Sequence, residues 1–209
     1  MPHDGHAHDD HAPIEDIGEV SQYEVLEQAI RELLVERGVL SAEAIQQQID
    51  DMDSRTPVAG SKIVARAWTD AAYKERLLND PKAALAEMGV TKLDENPEVK
   101  VVENTPDRHN VIVCTLCSCY PRVVLGMPPA WYKKRAYRSR VVKEPRQVLA
   151  EFGTELPDTV KIEVHDSTAD LRYLVLPMRP EGADDWPAEK LADLVTRDVM
   201  IGVKVPKVA

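Results

Sequence analysis

A chain of 209 residues, 44% hydrophobic, is long enough for one sizeable core, or for one core plus an arm. Its formal net charge is −10, and it has no basic stripe or aromatic ladder, which argues against nucleic-acid binding. The apolar runs are only a few residues long, so no membrane span is expected; without a charged-then-apolar signal pattern, a cytoplasmic location is the expectation.

Residues 1–16 carry His3, His6, His8 and His11, interleaved with Asp4, Asp9 and Asp10. Such a segment has almost nothing to bury and reads as a solvated, disordered tail; scavenging a divalent ion for delivery is the alternative. Residues 17–95 read as a helical arm. Ser21 is placed to cap a first helix whose stripe is Val25, Leu26, Ala29, Ile30, Leu33 and Leu34, ending at Gly38. Ser41 opens a second helix with Ile45, Ile49 and Met52 on one face. Pro57 and Gly60 break the pattern, and Ile63, Val64, Ala67 and Trp68 resume it. Asp70 caps a short helix carrying Tyr73, Leu77 and Leu78. Asp80-Pro81 opens another, with proline at the first helical position, and Gly89 closes it. The narrow stripes have no obvious core of their own, so the arm needs something to lie against, and its own C-terminal domain would do.

Past Asn96-Pro97 the pattern turns to strands, and residues 96–209 read as a separate α+β domain, which holds the cysteines taken up below. Val99–Val102, Val111–Val113, Val160–Val164 and Arg172–Leu176 are the β-branched or apolar runs. Between them Glu144-Pro145 starts a helix through Val148, Leu149 and Phe152, closed by Gly153. A last helix, about Ala188 to Leu194, follows Trp186-Pro187. Strands and helices mixed without strict alternation give an α+β class. No internal repeat occurs, and the nine glycines are nowhere grouped as a phosphate-cradling loop requires.

All three cysteines fall within six consecutive positions, Cys114-Thr115-Leu116-Cys117-Ser118-Cys119. An odd, crowded set is a poor disulfide framework. Structural zinc and iron–sulfur sites normally take one more protein ligand than these cysteines supply. A redox pair of Cys114 and Cys117 leaves Cys119 unexplained. Metal binding is the reading the spacing favours. If Cys117 and Cys119 hold one ion, the backbone nitrogens of Ser118 and Cys119 lie between their sulfurs. Neither residue is proline, so both nitrogens have a proton to lose, and the ionised set is planar. Cys114 then reaches an axial position and leaves the opposite one open. Zinc has no preference for such a plane; a trivalent, strongly Lewis-acidic ion does, and an open position marks a reactive site.

The run Val113 to Pro121 resembles the metal claw of the nitrile hydratase alpha subunit and the related thiocyanate hydrolase gamma subunit. Val101 to Thr105, His109 to Val113, Pro128 to Lys133, Tyr137 to Arg140, Leu149 to Gly153, Leu171 to Pro177 and Val195 to Gly202 are similar to that family as well. The resemblance implies a four-layer α-β-β-α core after the helical arm, with one cobalt(III) per subunit. Cobalt follows from Thr115 after the first cysteine; serine there accompanies iron(III), the alternative metal. It further implies Cys114 as axial thiolate, Cys117 oxidised to sulfinate, Cys119 oxidised to sulfenate, and backbone nitrogens of Ser118 and Cys119 as ligands. The implied activity is hydration of a nitrile, polar or bulky, to the amide. The ion polarises the C≡N carbon, and the Cys119 sulfenate attacks it or activates a water. Hydrolysis of thiocyanate at the same centre is the alternative, and a metal-binding or metal-delivery protein is the reading outside the enzyme class. Implied partners are one or two beta-type subunits, whose arginines meet the oxidised sulfurs and which the arm embraces, and a metal-loading activator protein.

Arg122 departs from the nitrile hydratase pattern. Tryptophan stands there in typical members and lines the substrate pocket, whereas arginine is what the thiocyanate hydrolase gamma subunit carries. A guanidinium on a pocket wall favours an anion or a polar substrate; an interface arginine is the plainer alternative. Tyr120 is a second candidate for the pocket, or else packing. Arg172 is either near the site or in a buried salt bridge. Glu103 either orients water or stands exposed on its strand. His109 reads as a satisfied structural histidine, and Trp68, Trp131 and Trp186 as core or interface anchors.

Overall fold

Side-chain caps set the borders of the first helices. The computed structural model describes residues 22–90 and 97–208; the tail 1–16, Ser21 and Asn96 lie outside the described residues. Helices α1 (Gln22–Glu36), α2 (Ala42–Ser54), α3 (Val58–Thr69), α4 (Ala71–Asn79) and α5 (Pro81–Glu87) follow in order. Ser41 Oγ accepts from the Ala44 amide at 3.0 Å, Asp70 from Tyr73 at 2.9 Å and Asp80 from Ala83 at 3.1 Å. Each bond satisfies one of the amides a helix start leaves unpaired. Pro81 occupies the first turn of α5, where no amide proton is needed.

Gly60 does not break a helix. It lies inside α3, and a Cβ there would stand 2.6 Å from Met200 Sδ and 2.9 Å from Leu125 Cδ2. The glycine is a notch that lets two distant side chains close on the helix. Nor are residues 17–95 uniform. Helices α1 and α2 bury no residue, and Val25, Leu26, Ile30 and Leu33 remain 44–60% exposed. Helices α3 to α5 instead supply Ile63, Val64, Tyr73, Leu77, Ala84 and Leu85 to the main core. The stripes look alike in sequence, but only those of α3 to α5 meet a sheet or another core helix.

Strands β1 (Glu98–Glu103), β2 (Arg108–Val113), β3 (Lys161–Asp166) and β4 (Leu171–Leu176) fall where the β-branched runs place them. They pair as two parallel two-stranded sheets, β1 with β4 and β2 with β3. Helices α6 (Arg122–Leu125), α7 (Ala130–Lys133), α8 (Arg135–Lys143), α9 (Pro145–Glu151), α10 (Ala188–Ala192) and α11 (Arg197–Ile201) complete the chain. The two sheets face each other through β2 with β1 and β4, α4 and α5 cover β1, and α9 covers β3. That is the α-β-β-α order. Parallel strands covered on both sides read as continuous apolar runs, and Val111, Ile112, Val113, Leu174 and Val175 are fully buried.

The helix about Ala188 to Leu194 is not the last: α11 follows it, capped by Thr196. Helices α6 and α7 are single turns of four residues, too short to show a period. Helix α8 is masked by its polarity. Arg140 is buried in it because Glu144 and Glu151 both pair with its guanidinium.

His109 is the structural histidine that was expected. It is 4% exposed, accepts from Asn104 Nδ2 at 3.2 Å through Nδ1, and donates from Nε2 to the Gly202 carbonyl at 2.7 Å. Gly202 caps α11 with φ 92°, and a Cβ on it would meet the Asn110 carbonyl oxygen at 2.1 Å. Gly202→Ala is therefore expected to cost at least the ~1–3 kcal/mol of a strained backbone, read as a lower urea midpoint. Burial holds the His109 pKa below its ordinary 6.5. As pH falls the unfolded chain takes up that proton first, so the stability the histidine contributes is whole above 6.5 and drains away below it. The acid-side slope of the urea midpoint should flatten in His109→Gln; an unchanged slope would count against a neutral, buried ring.

Candidate metal centre

The cysteine loop begins where β2 ends, and the register sets Val113 beside Asp166 at the end of β3. Asp166 reaches across to the loop: its carboxylate accepts from the Thr115 amide at 2.9 Å and from the Thr115 hydroxyl at 2.5 Å. On the other side Arg138, in α8, donates from Nη1 to the Thr115 carbonyl at 3.1 Å. The far end of the loop is tied by Tyr132, whose hydroxyl donates to the Cys119 carbonyl at 2.9 Å. Held this way, the loop turns its sulfurs inward.

Cys114 Sγ lies 3.5 Å from Cys117 Sγ, and Cys117 Sγ 3.4 Å from Cys119 Sγ. All three sulfurs are within 4.8 Å of one another, and all three cysteines are free. These are separations of thiols around one point, far longer than a disulfide bond. Among the described residues no histidine or carboxylate joins the cluster, so the donor set a tetrahedral zinc site needs is incomplete. The backbone amides of Ser118 and Cys119 border the Cys117 sulfur and help to lower its pKa. Three free sulfurs within 4.8 Å of one another fit a thiolate-rich metal site.

The cluster is electrostatically uneven. Hydrogen bonds from the Cys119 and Cys114 thiols, and from the Ser118 amide, lower the Cys117 pKa to about 7. Burial, followed by the bond to Cys117, raises Cys119 to about 12, against the opposing charge of Arg172. Cys117, the exposed member of the cluster, thus ionises more readily than Cys119.

A cavity of about 340 Å³ opens over Cys117, Ser118 and Cys119. Its other walls are Pro97, Val99, Tyr120, Pro121, Arg122, Val123 and Arg172. Arg122, exposed at the start of α6, and Tyr120 are both there. The Tyr120 ring meets Tyr132 edge-on at 5.1 Å, and its buried hydroxyl finds no partner among the described residues. Arg172 lines the same cavity and takes part in no salt bridge among the described residues; its guanidinium reaches only the Leu171 carbonyl, at 3.4 Å. Glu103 pairs with Lys74, remote from the cavity lining. Trp68 donates to the Pro177 carbonyl at 2.7 Å, Trp131 stacks against Tyr137 and Phe152, and Lys190 lies over Trp186.

Residues 21–204 match the family model described as nitrile hydratase, alpha chain. The chain belongs to that family. Its relatives include the low-molecular weight cobalt-containing nitrile hydratase subunit alpha of Rhodococcus rhodochrous, 51% identical and covering 85% of this chain and 86% of the relative. The thiocyanate hydrolase subunit gamma of Thiobacillus thioparus is 45% identical over 91% of this chain and 83% of its own. Among solved structures, a recombinant thiocyanate hydrolase with partially modified cobalt centres aligns with a TM-score of 0.81 at 45% identity, over 90% of this chain and 92% of that one. An Fe-type nitrile hydratase of Comamonas testosteroni Ni1 aligns equally well, with a TM-score of 0.81 at 41% identity and the same coverage. As a nitrile hydratase alpha-chain family member, the chain is an enzyme subunit with a metal-binding cysteine cluster. Both cobalt and iron occur among its neighbours, so membership alone leaves the metal open.

Asp166, Arg138 and Tyr132 escaped the reading of the sequence as site residues. Tyr132 and Arg138 fall within stretches already similar to the family, Pro128 to Lys133 and Tyr137 to Arg140, whereas Asp166 shows only as an acid just past a β-branched run. Asp166→Ala leaves the Thr115 amide without its charged acceptor. It is expected to lower stability by about 1–3 kcal/mol and to reduce metal content; equal thermal midpoints and equal metal content would contradict this.

Proposed function

We propose that the chain is the metal-binding catalytic subunit of a cobalt-type nitrile hydratase, converting a polar nitrile to its amide. The observation that supports this best is the set of three sulfurs within 4.8 Å of one another, with Cys117, Ser118 and Cys119 lining a cavity of about 340 Å³. Cys114, Cys117 and Cys119 would hold the ion through sulfur, and Ser118 and Cys119 through nitrogen. A bound trivalent ion supplies the Lewis acidity that polarises the nitrile carbon. Thr115 and the cobalt-containing relatives, at 51% and 48% identity, favour cobalt(III), one per subunit, over iron(III).

The chain's own residues then divide the work. Cys119, carried as sulfenate, faces the cavity and directs an oxygen, its own or that of a water, at the nitrile carbon. Cys117, the most exposed thiol of the cluster and more acidic than Cys119, is the one best placed to be carried as the sulfinate. Arg122 and Arg172 put two guanidinium groups on the wall, where they hold a polar or anionic substrate rather than a bare aliphatic one. The same pair supports a second reading, thiocyanate hydrolysis, in keeping with the gamma subunit at 45% identity.

The relatives' names describe subunits, and this chain is proposed to act with one or two beta-type chains and a metal-loading activator. Among the described residues no helix is long and apolar enough to cross a membrane, and a cytoplasmic site of action remains part of the proposal. Metal delivery without turnover would require residues 1–16 for loading, so removing them should leave activity largely intact if the enzyme reading holds.

Metal analysis and intact mass of the assembled complex test the centre. The expected result is about one cobalt per claw with three oxygens added across residues 114–119; tetrahedral zinc, or a bridge between two of the thiols, would end the proposal. Assay of nitriles and thiocyanate on the same complex, with Arg122→Trp as the variant, tests the pocket. Replacing the charge with an indole should move preference towards apolar nitriles, and an unmoved preference removes Arg122 from substrate selection.

A further inference from the structure

Arg138 takes no part in the chemistry proposed above, yet it is the cation tied to the back of the cysteine loop. Its Nη1 donates to the Thr115 carbonyl at 3.1 Å, while its Nε is buried without a partner. No carboxylate among the described residues pairs with it. Its neighbours on the same stretch are spent otherwise. Arg140 is neutralised by Glu144 and Glu151, and Arg146 is given to the carbonyls of Leu156, Pro157 and Val160. A half-buried guanidinium left without a counter-ion, in a chain of net charge −10, calls for a reason.

The loop provides one once it is loaded. Three thiolates and two ionised amides around a trivalent ion leave the loop two charges negative. The Asp166 carboxylate, held on the other side of Thr115, adds a third. Arg172 faces this charge from the cavity side. Behind the loop, the guanidinium bound to it is that of Arg138. Resting on the metal-binding reading above, we propose that Arg138 is the counter-charge of the loaded loop, a positioning residue whose charge, more than its hydrogen bond, favours metal retention.

The test uses the assembled complex with Arg138→Gln and Arg138→Lys, each loaded at limiting cobalt. Glutamine keeps a donor for the Thr115 carbonyl and loses the charge; lysine keeps the charge and loses the guanidinium fork. Arg138→Gln should need about tenfold more cobalt for half-loading, the effect of one unit charge at short range in partly buried surroundings. Arg138→Lys should stay within about threefold of the parent. The sulfur-to-cobalt absorption should follow the same order, and metal-free unfolding midpoints should be equal in all three. Loading of Arg138→Gln at the parent's cobalt concentration overturns the role of Arg138 alone, as does a lysine variant as impaired as the glutamine one. A parent complex that binds neither cobalt nor iron overturns the reading of the site together with it.

Discussion

The two hydrogen bonds from Thr115 to the Asp166 carboxylate are the constraint on which the site depends. They fasten a cysteine loop to a strand 51 residues further along the chain. A loop of this composition has no reason of its own to keep three sulfurs within 4.8 Å, since neutral thiols attract one another only weakly. A carboxylate accepting both an amide and a hydroxyl supplies charge-assisted bonds of the stronger kind. Arg138 and Tyr132 tie the loop at two further points, through the Thr115 and Cys119 carbonyls.

That fastening is only as firm as the sheet beneath it. The β2–β3 pair lies between the β1–β4 sheet and α9, and Val111 to Val113 are sealed from water. A buried polar network of Asn104, His109 and Asn110 then locks the sheet to Gly202 and α11. Every polar group in it has a partner, which is the condition under which such a network stiffens a core instead of weakening it. The neighbouring β1–β4 sheet carries Arg172 to the cavity wall, so the cavity wall and the cavity floor belong to different layers of one core.

Much of this was legible residue by residue. The caps at Ser41, Asp70 and Asp80, the four strands and the helix from Pro145 follow from local rules, and the structure keeps them to within three residues. The cysteine spacing fixed which atoms meet, because the ligands are near neighbours in the chain. Gly60 misled because a glycine in a helical pattern reads as a breaker until Met200 and Leu125 are seen to fill the notch. Along the arm, too, packing decides what the pattern leaves open. The stripes of α1 and α3 are alike, and only packing shows that Ile63 is buried while Ile30 is 49% exposed.

Within the site the division is the same. The sequence alone marked the three cysteines, whose spacing within six residues keeps them within reach of one another, and it marked Arg122 by its departure from the family pattern. Only the tertiary structure decided that Asp166, Arg138, Tyr132 and Arg172 serve that loop. Their placement rests on parallel register between strands some fifty residues apart and on the packing of α8 against the end of β2. Local spacing carries no information about such long-range pairing, because it is set by which apolar faces bury one another.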